Sequence, residues 1–253
     1  MKSRNFLKSR FHVNFSLVLF LFSLNLFLIN SVIAKVYKIG SYPIPLMVVS
    51  KDKGVFVELA HEIAKKQGVE IEIVIAPPPE TVKNFVDKKL DGFFPGLDVL
   101  IPVAFSKSES IYIKKDFAFY RKAGDMLNTL DKLKGKKVGL TEGYPYAKSV
   151  TENKSYSILF SPNDIINIKK LSASSLDAFI VEEKTGLKAV ELAAAKDQVT
   201  YDPKMPISDQ DVYFAFQGDA DGKMLAQKYS DGLKAMKTDG SFSKIMDQAT
   251  KQQ

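Results

Sequence analysis

Cysteine is absent from the 253-residue chain, and only His12 and His61 represent histidine. The missing thiols exclude disulfides, thiol catalysis and cysteine-ligated metal. A histidine metal cluster is excluded too, and a serine triad would depend on His61 alone. His61 lies beside the apolar stripe of a predicted helix, which favours a surface or structural role. Long apolar runs are equally scarce. One, Phe15 to Ile29, follows Lys2, Arg4, Lys8 and Arg10 and precedes the small-residue site Val32-Ile33-Ala34. This is the pattern of a secretory signal peptide over residues 1–34, cleaved after Ala34. The rival reading is an uncleaved anchor, but Ser16, Ser23 and Asn25 interrupt a run already short for a membrane span. The remainder is expected to be soluble, with 32 basic against 29 acidic residues, a net of +3 rather than +7. That balance gives no electrostatic case for nucleic acid. Without disulfides, stability must come from core burial, which this length allows.

The rest of the chain alternates strand and helix. Val36 to Ser41 reads as a strand and Tyr42-Pro43-Ile44-Pro45 as a broken loop. Val55 to Lys66 reads as a helix with Phe56, Leu59, Ala60 and Ile63 on one face, ended by Gly68. Glu70 to Ile75 is a half-buried strand with Ile71, Ile73 and Ile75 inward. Pro77 to Pro79 lead a helix with Val82, Phe85, Val86 and Leu90 buried. Phe93 to Asp98 is the next strand and its loop. This β-α-β-α-β order implies a parallel sheet covered by helices, with ligands beyond the strand C-terminal ends.

From Lys137 the rhythm restarts. Strands are predicted at Lys137–Leu140, Ser157–Phe160, Ala178–Val181 and Asp211–Phe216. Helices are predicted at Tyr144–Glu152, Pro162–Leu171, Thr185–Ala195, Lys223–Met236 and Phe242–Ala249. The turn Thr141-Glu142-Gly143 stands between a buried strand and a helix start, where backbone N–H groups can converge on a small ligand. The plainer reading is a βα connection that binds nothing. Two β/α units in series suggest two lobes.

Read in order, these pieces resemble the bacterial periplasmic solute-binding proteins of the amino-acid-binding type, extracellular solute-binding protein family 3. Tyr42-Pro43 is similar to the family's aromatic-proline loop. Gly54 to Ala60, Leu90-Asp91-Gly92, Phe105-Ser106, Leu133 to Gly139, Leu176-Asp177-Ala178 and Lys237 to Phe242 follow in the family's order. The resemblance implies an α/β, two-lobed periplasmic binding protein type II fold with a hinge. Lobe one would be Lys35–Asp116 plus Asp211–Gln253, and lobe two Phe117–Gln210, with crossings near Phe117–Tyr120 and Gln210–Tyr213. It further implies a periplasmic monomer without enzymatic activity or cofactor. Its partners would be a small-molecule ligand and an inner-membrane ABC permease. A dehydratase-like catalytic member using Asp98 or Glu182, or a sensor presenting its ligand to a receptor, are the alternatives.

The resemblance also implies a set of ligand-binding positions. They are Tyr42, Asp98 in the Pro95-Gly96-Leu97-Asp98 loop, Ser106, Thr141, Gly143, Tyr144, Tyr146 and Glu182. One departure stands out. The family's Thr-x-x-Arg carboxylate-binding motif is replaced by Val99-Leu100-Ile101-Pro102-Val103-Ala104, and Arg121, the one arginine beyond Ala34, lies elsewhere. With Asp98 and Glu182 both facing a cleft, the expected ligand is an amine-bearing or otherwise cationic small molecule.

Overall fold

The computed structural model describes residues 35–248. The expected signal segment, residues 1–34, and Ala249 of the expected last helix lie outside the described residues. β1 (Val36–Ser41), α1 (Val55–Lys66), β2 (Glu70–Ile75), α2 (Pro78–Val86) and β3 (Gly92–Gly96) make one β-α-β-α-β unit. Its strands are parallel, with β1 in the middle. β6 (Lys137–Thr141), α3 (Lys148–Thr151), β7 (Ser157–Ser161), α4 (Asp164–Ser172) and β8 (Ala178–Glu182) repeat the unit, with β6 in the middle. α5 (Glu183–Leu192) follows directly.

One bracket of hydrogen bonds appears in both units. The Asp91 N–H donates to the Lys38 carbonyl, and the Lys38 N–H donates to the Asp91 carboxylate, both at 2.8 Å. Asp177 and Lys137 repeat this at 2.9 and 2.8 Å. Each aspartate thus pins the start of a third strand to the first residues of the central one. This gives the Leu-Asp-Gly and Leu-Asp-Ala segments a physical role, since an unpaired strand-end N–H would otherwise lose a hydrogen bond.

The antiparallel strands β4 (Phe105–Lys107), β5 (Tyr112–Arg121), β9 (Val199–Tyr201) and β10 (Ser208–Gln217) join the units. β10 pairs through Ser208–Val212 with Tyr112–Asp116 of β5. Beyond Val212 it changes neighbours, pairing with β3 and β4, and its register on β3 shifts between Tyr213 and Ala215. β5 continues through Asp116–Tyr120 onto β8 and through Phe119–Arg121 onto β9. The strand order is β2-β1-β3-β10-β5-β8-β6-β7. β4, β5 and β9 are absent from the sequence-based expectation.

Helices cover both faces of each unit. In the first, α1, α6 (Ala220–Asp239) and α7 (Ser241–Met246) bury Ile39, Phe56, Ile63, Phe94, Phe214, Tyr229 and Met236 in one layer. Phe85, Leu90, Phe93, Tyr213 and Ala215 fill the other. In the second, the alternation of β5 sends Phe117 and Phe119 to one core and Ala118 and Tyr120 to the other, as a strand buried on both faces requires. Gly240 ends α6 in a left-handed conformation, φ 79°, which glycine adopts without a Cβ clash. Beside it Asp239 accepts the Ser241 N–H at 2.9 Å and the Lys66 ammonium at 2.8 Å, tying this corner to α1. Arg121 is built into the second unit: it donates to the carbonyls of Leu171 and Leu176 at 3.2 and 2.6 Å.

Candidate functional site

Where β5 and β10 pair, Tyr112, Lys114 and Asp116 share one face, opposite Val212, Gln210 and Ser208. Asp116 is completely buried. Its Oδ1 accepts the Lys114 ammonium and its Oδ2 the Ser208 hydroxyl, the latter at 3.1 Å. A carboxylate without water needs such partners, because desolvation otherwise costs several kcal/mol. The Lys114 side chain keeps 15% exposure, and its ammonium stands 5.9 Å from the centre of the Tyr146 ring. Gln210, across from Lys114, donates its amide to the Pro145 carbonyl at 2.9 Å. The ladder is therefore tied to the turn after β6.

Tyr112 connects this face to the first unit. Its ring stacks on Phe56 at 6.0 Å. Burial pushes its hydroxyl up to about 12, and the carboxylates of Glu182 and Asp116 add to the shift. The Tyr42 hydroxyl is also raised, by burial first and then by Tyr112; it donates to the Pro95 carbonyl at 3.3 Å. Tyr42, Tyr112, Asp116 and Glu182 thus share one electrostatic neighbourhood, although they come from three different strands or their ends.

Glu182 caps α5: its Oε2 accepts both the N–H and the hydroxyl of Thr185 at 3.0 Å. It stands in register with Asp116. Glu183 turns away and accepts the Tyr201 hydroxyl at 2.7 Å. This separates the two adjacent glutamates by role.

The turn after β6 departs from its expected form. The helix predicted from Tyr144 is confined to Lys148–Thr151. Pro145 disfavours helical backbone at Tyr144, and the buried Tyr146 hydroxyl reaches back to accept the Thr141 N–H at 2.9 Å. The Glu142 N–H donates to Ser161 and the Tyr144 N–H to Thr141. Of the N–H groups expected to converge here, those of Thr141, Glu142 and Tyr144 are already engaged within the protein. Gly143 takes φ 76°, the left-handed region that closes it. The Thr141 and Tyr144 hydroxyls both donate to Asp164, Tyr144 at 2.8 Å, and Tyr144 stays 41% exposed.

Asp98 opens a short 3-10 turn beyond β3. It accepts the Tyr213 hydroxyl at 2.6 Å and the Lys107 ammonium at 3.1 Å. These contacts, Tyr213 first, outweigh its desolvation and hold its carboxyl below the usual range. Ser106 lies on β4 opposite Phe216. Glu182 and Tyr42 therefore each lie within electrostatic reach of Tyr112 on the ladder, with Tyr144 and Tyr146 on the turn that Gln210 ties to it. Asp98 is engaged with Lys107 and Tyr213 instead.

Tyr112, Lys114 and Asp116 were missed by sequence reasoning. Their signal was the i, i+2, i+4 spacing in Tyr112-Ile113-Lys114-Lys115-Asp116, a strand period hidden by its charge. Among the described residues, no group of three or more acidic or histidine side chains could hold a metal ion.

No family model and no curated protein matches this sequence. Solved structures do match in shape. The GluR0 ligand-binding core from Nostoc punctiforme, in complex with L-glutamate, superposes with a TM-score of 0.61 at 19% identity, covering 84% of this chain and 98% of that one. An arginine-binding protein from T. maritima gives 0.59 at 19% identity, covering 85% and 95%. An amino acid ABC transporter substrate-binding protein from Streptococcus pneumoniae, bound to L-arginine, gives 0.58 at 20% identity, covering 85% and 94%. The chain has the two-lobed α/β fold of these binding proteins.

Proposed function

We propose that this chain binds a small polar solute in the periplasm by closing two lobes on it, and passes the solute to an inner-membrane ABC permease. The lobes are Lys35–Asp116 with Asp211–Gln253, and Phe117–Gln210. The supporting observation is the β5–β10 ladder, a two-strand connection whose strands each continue into a different unit. Such a connection suits hinge closure, driven by the ligand's greater affinity for the closed form. Tyr42, Tyr144 and Glu182 face the solute in this reading, with Glu182 receiving an amine. Asp98, Ser106, Thr141, Gly143 and Tyr146 shape the walls behind them. The protein acts as a binder without chemistry of its own. The fold-sharing sensor domain of a histidine kinase supports a second role, presenting the solute to a receptor.

A thermal-shift panel of amino acids, polyamines, sugars and osmolytes tests the reading. At about 100 times its dissociation constant a ligand stabilises the native state by about 2.7 kcal/mol. A clear rise in Tm with one chemical class supports solute binding, and turnover of that ligand would contradict it.

A further inference from the structure

We propose that β7 is a pairing edge through which two copies of this chain form a symmetric dimer, in place of the monomer that the resemblance implies. β7 ends the strand order, and among the described residues β6 is its one strand neighbour. The Ser157 N–H donates to the Lys136 carbonyl, and the Ser161 carbonyl accepts the Glu142 N–H, both at 3.0 Å. Successive residues of a strand direct their backbone groups to opposite sides. Ser157, Leu159 and Ser161 therefore face β6, and the N–H and C=O groups of Ile158 and Phe160 point out of the sheet edge. Such a row is a template for another strand. Its side chains suit that use: Leu159 is 42% and Phe160 52% exposed, and Ser157–Ser161 carries no charge. The opposite edge of the sheet, β2, is guarded by the exposed Glu70 and Glu72, and charges along an edge oppose pairing.

A second copy fits this edge because the segment is complementary to itself. A twofold axis at Leu159 sets the two β7 strands antiparallel. Ile158 then lies opposite Phe160 of the second copy, and each such pair exchanges two backbone hydrogen bonds. On one face a β-branched side chain meets an aromatic ring, a favourable cross-strand pair. On the other face the two Leu159 side chains meet. Lys154 and Asp164 stand three residues before and three after the strand. The same axis therefore brings each exposed Lys154 to the strand end where the second copy has Asp164. Apolar surface meets apolar, and cation meets anion, as a closed twofold interface demands. β6 and β8 separate β7 from β5 and β10, so the contact leaves the joint between the units clear. A strand of five residues makes a small interface, and association is expected at micromolar concentration or above.

The purified chain is sedimented over a concentration series spanning the micromolar range. The proposal expects a reversible shift from one chain to two. Leu159→Lys sets two like charges opposite each other at the axis and raises the dimer dissociation constant about 10-fold or more. Lys154→Glu, which leaves β7 itself intact, also raises it. The absence of cysteine allows a direct geometric test. Leu159→Cys puts two thiols at a non-hydrogen-bonded pair, with about 4.5 Å between Cα atoms, within disulfide reach. Oxidised glutathione takes two electrons and two protons from the thiols, leaving a disulfide-linked dimer and two reduced glutathiones. Leu192→Cys, at a more exposed leucine on α5, stays uncrosslinked. The cross-linking result stands even if Leu159→Lys does not fold. A wild-type chain that stays single throughout overturns the proposal, a foreign strand then being the remaining occupant of the edge. Growth beyond two chains, a dimer indifferent to Leu159→Lys, or cross-linking of Leu192→Cys equal to that of Leu159→Cys overturns it as well.

Discussion

Asp116 of β5 and Ser208 of β10 face each other across the ladder, the serine hydroxyl donating to a carboxylate that has no exposure to water. The contact fixes one oxygen of Asp116 and leaves the other to Lys114. The joint between the two units therefore contains a buried charge pair.

Breaking that pair from one side strands a charge. Lys114→Met alone should lower stability by about 3 kcal/mol, because Asp116 remains buried without its counter-ion. Adding Asp116→Asn should recover most of the loss. Urea unfolding of the single and double variants, with unchanged slope, checks the coupling.

The two aspartate brackets should act independently. Asp91→Ala and Asp177→Ala each remove a carboxylate that accepts a strand-end N–H, and each should cost about 1–2 kcal/mol. They lie in different units, so their sum should match the double variant within about 0.5 kcal/mol. A double loss well beyond the sum would show that the two units report on one another.

Glu182 has separable duties. Glu182→Gln keeps an acceptor for Thr185 and should leave stability within about 0.5 kcal/mol, while Glu182→Ala removes the cap and should cost about 1 kcal/mol. In the proposed site both variants weaken an amine-bearing ligand. Comparing Tm with titration for the two variants separates the cap from the charge.

Alkaline pH should unfold the protein through its tyrosines. Burial pushes the Tyr156 and Tyr201 hydroxyls up to about 12, aided at Tyr201 by Glu183, and the other raised tyrosines act in the same direction. The folded state then holds protons that the unfolded chain releases near 10. Stability is full below pH 10 and falls as pH rises from 10 to 12. Tm measured across that interval should drop steadily, with tyrosinate absorbance appearing together with unfolding.

The parallel units were legible because their signals are local. Apolar periods, Gly68 after α1 and the Leu-Asp pairs before β3 and β8 all lie within a few residues of what they specify. The ladder was not. Lys114-Lys115-Asp116 reads as a solvated run, and the buried Asp116 is satisfied by Lys114 together with Ser208, 92 positions away. Tyr42 and Glu182 could be singled out as strand-end residues, but their link through Tyr112 depends on a strand with little apolar content at its start. Asp98 was correctly placed at a strand end, yet its partners Lys107 and Tyr213 sit on neighbouring strands that local sequence does not announce. The turn after β6 departs from the expected helix because Pro145 disfavours helical backbone at Tyr144, and the return of the Tyr146 hydroxyl to Thr141 is a contact no periodicity reveals.

The layer formed by α6 has a consequence for how the chain is made. The first unit buries Ile39 and Phe56 against Leu225, Tyr229 and Met236, residues that leave the ribosome long after them. The second unit needs nothing beyond Val212 of β10 to close its sheet. Synthesis thus completes the later half of the molecule before the earlier one, whose apolar face waits for α6. A released chain truncated between Val212 and Ala220 should have a protease-resistant centre and a labile beginning, the reverse of simple N-to-C order.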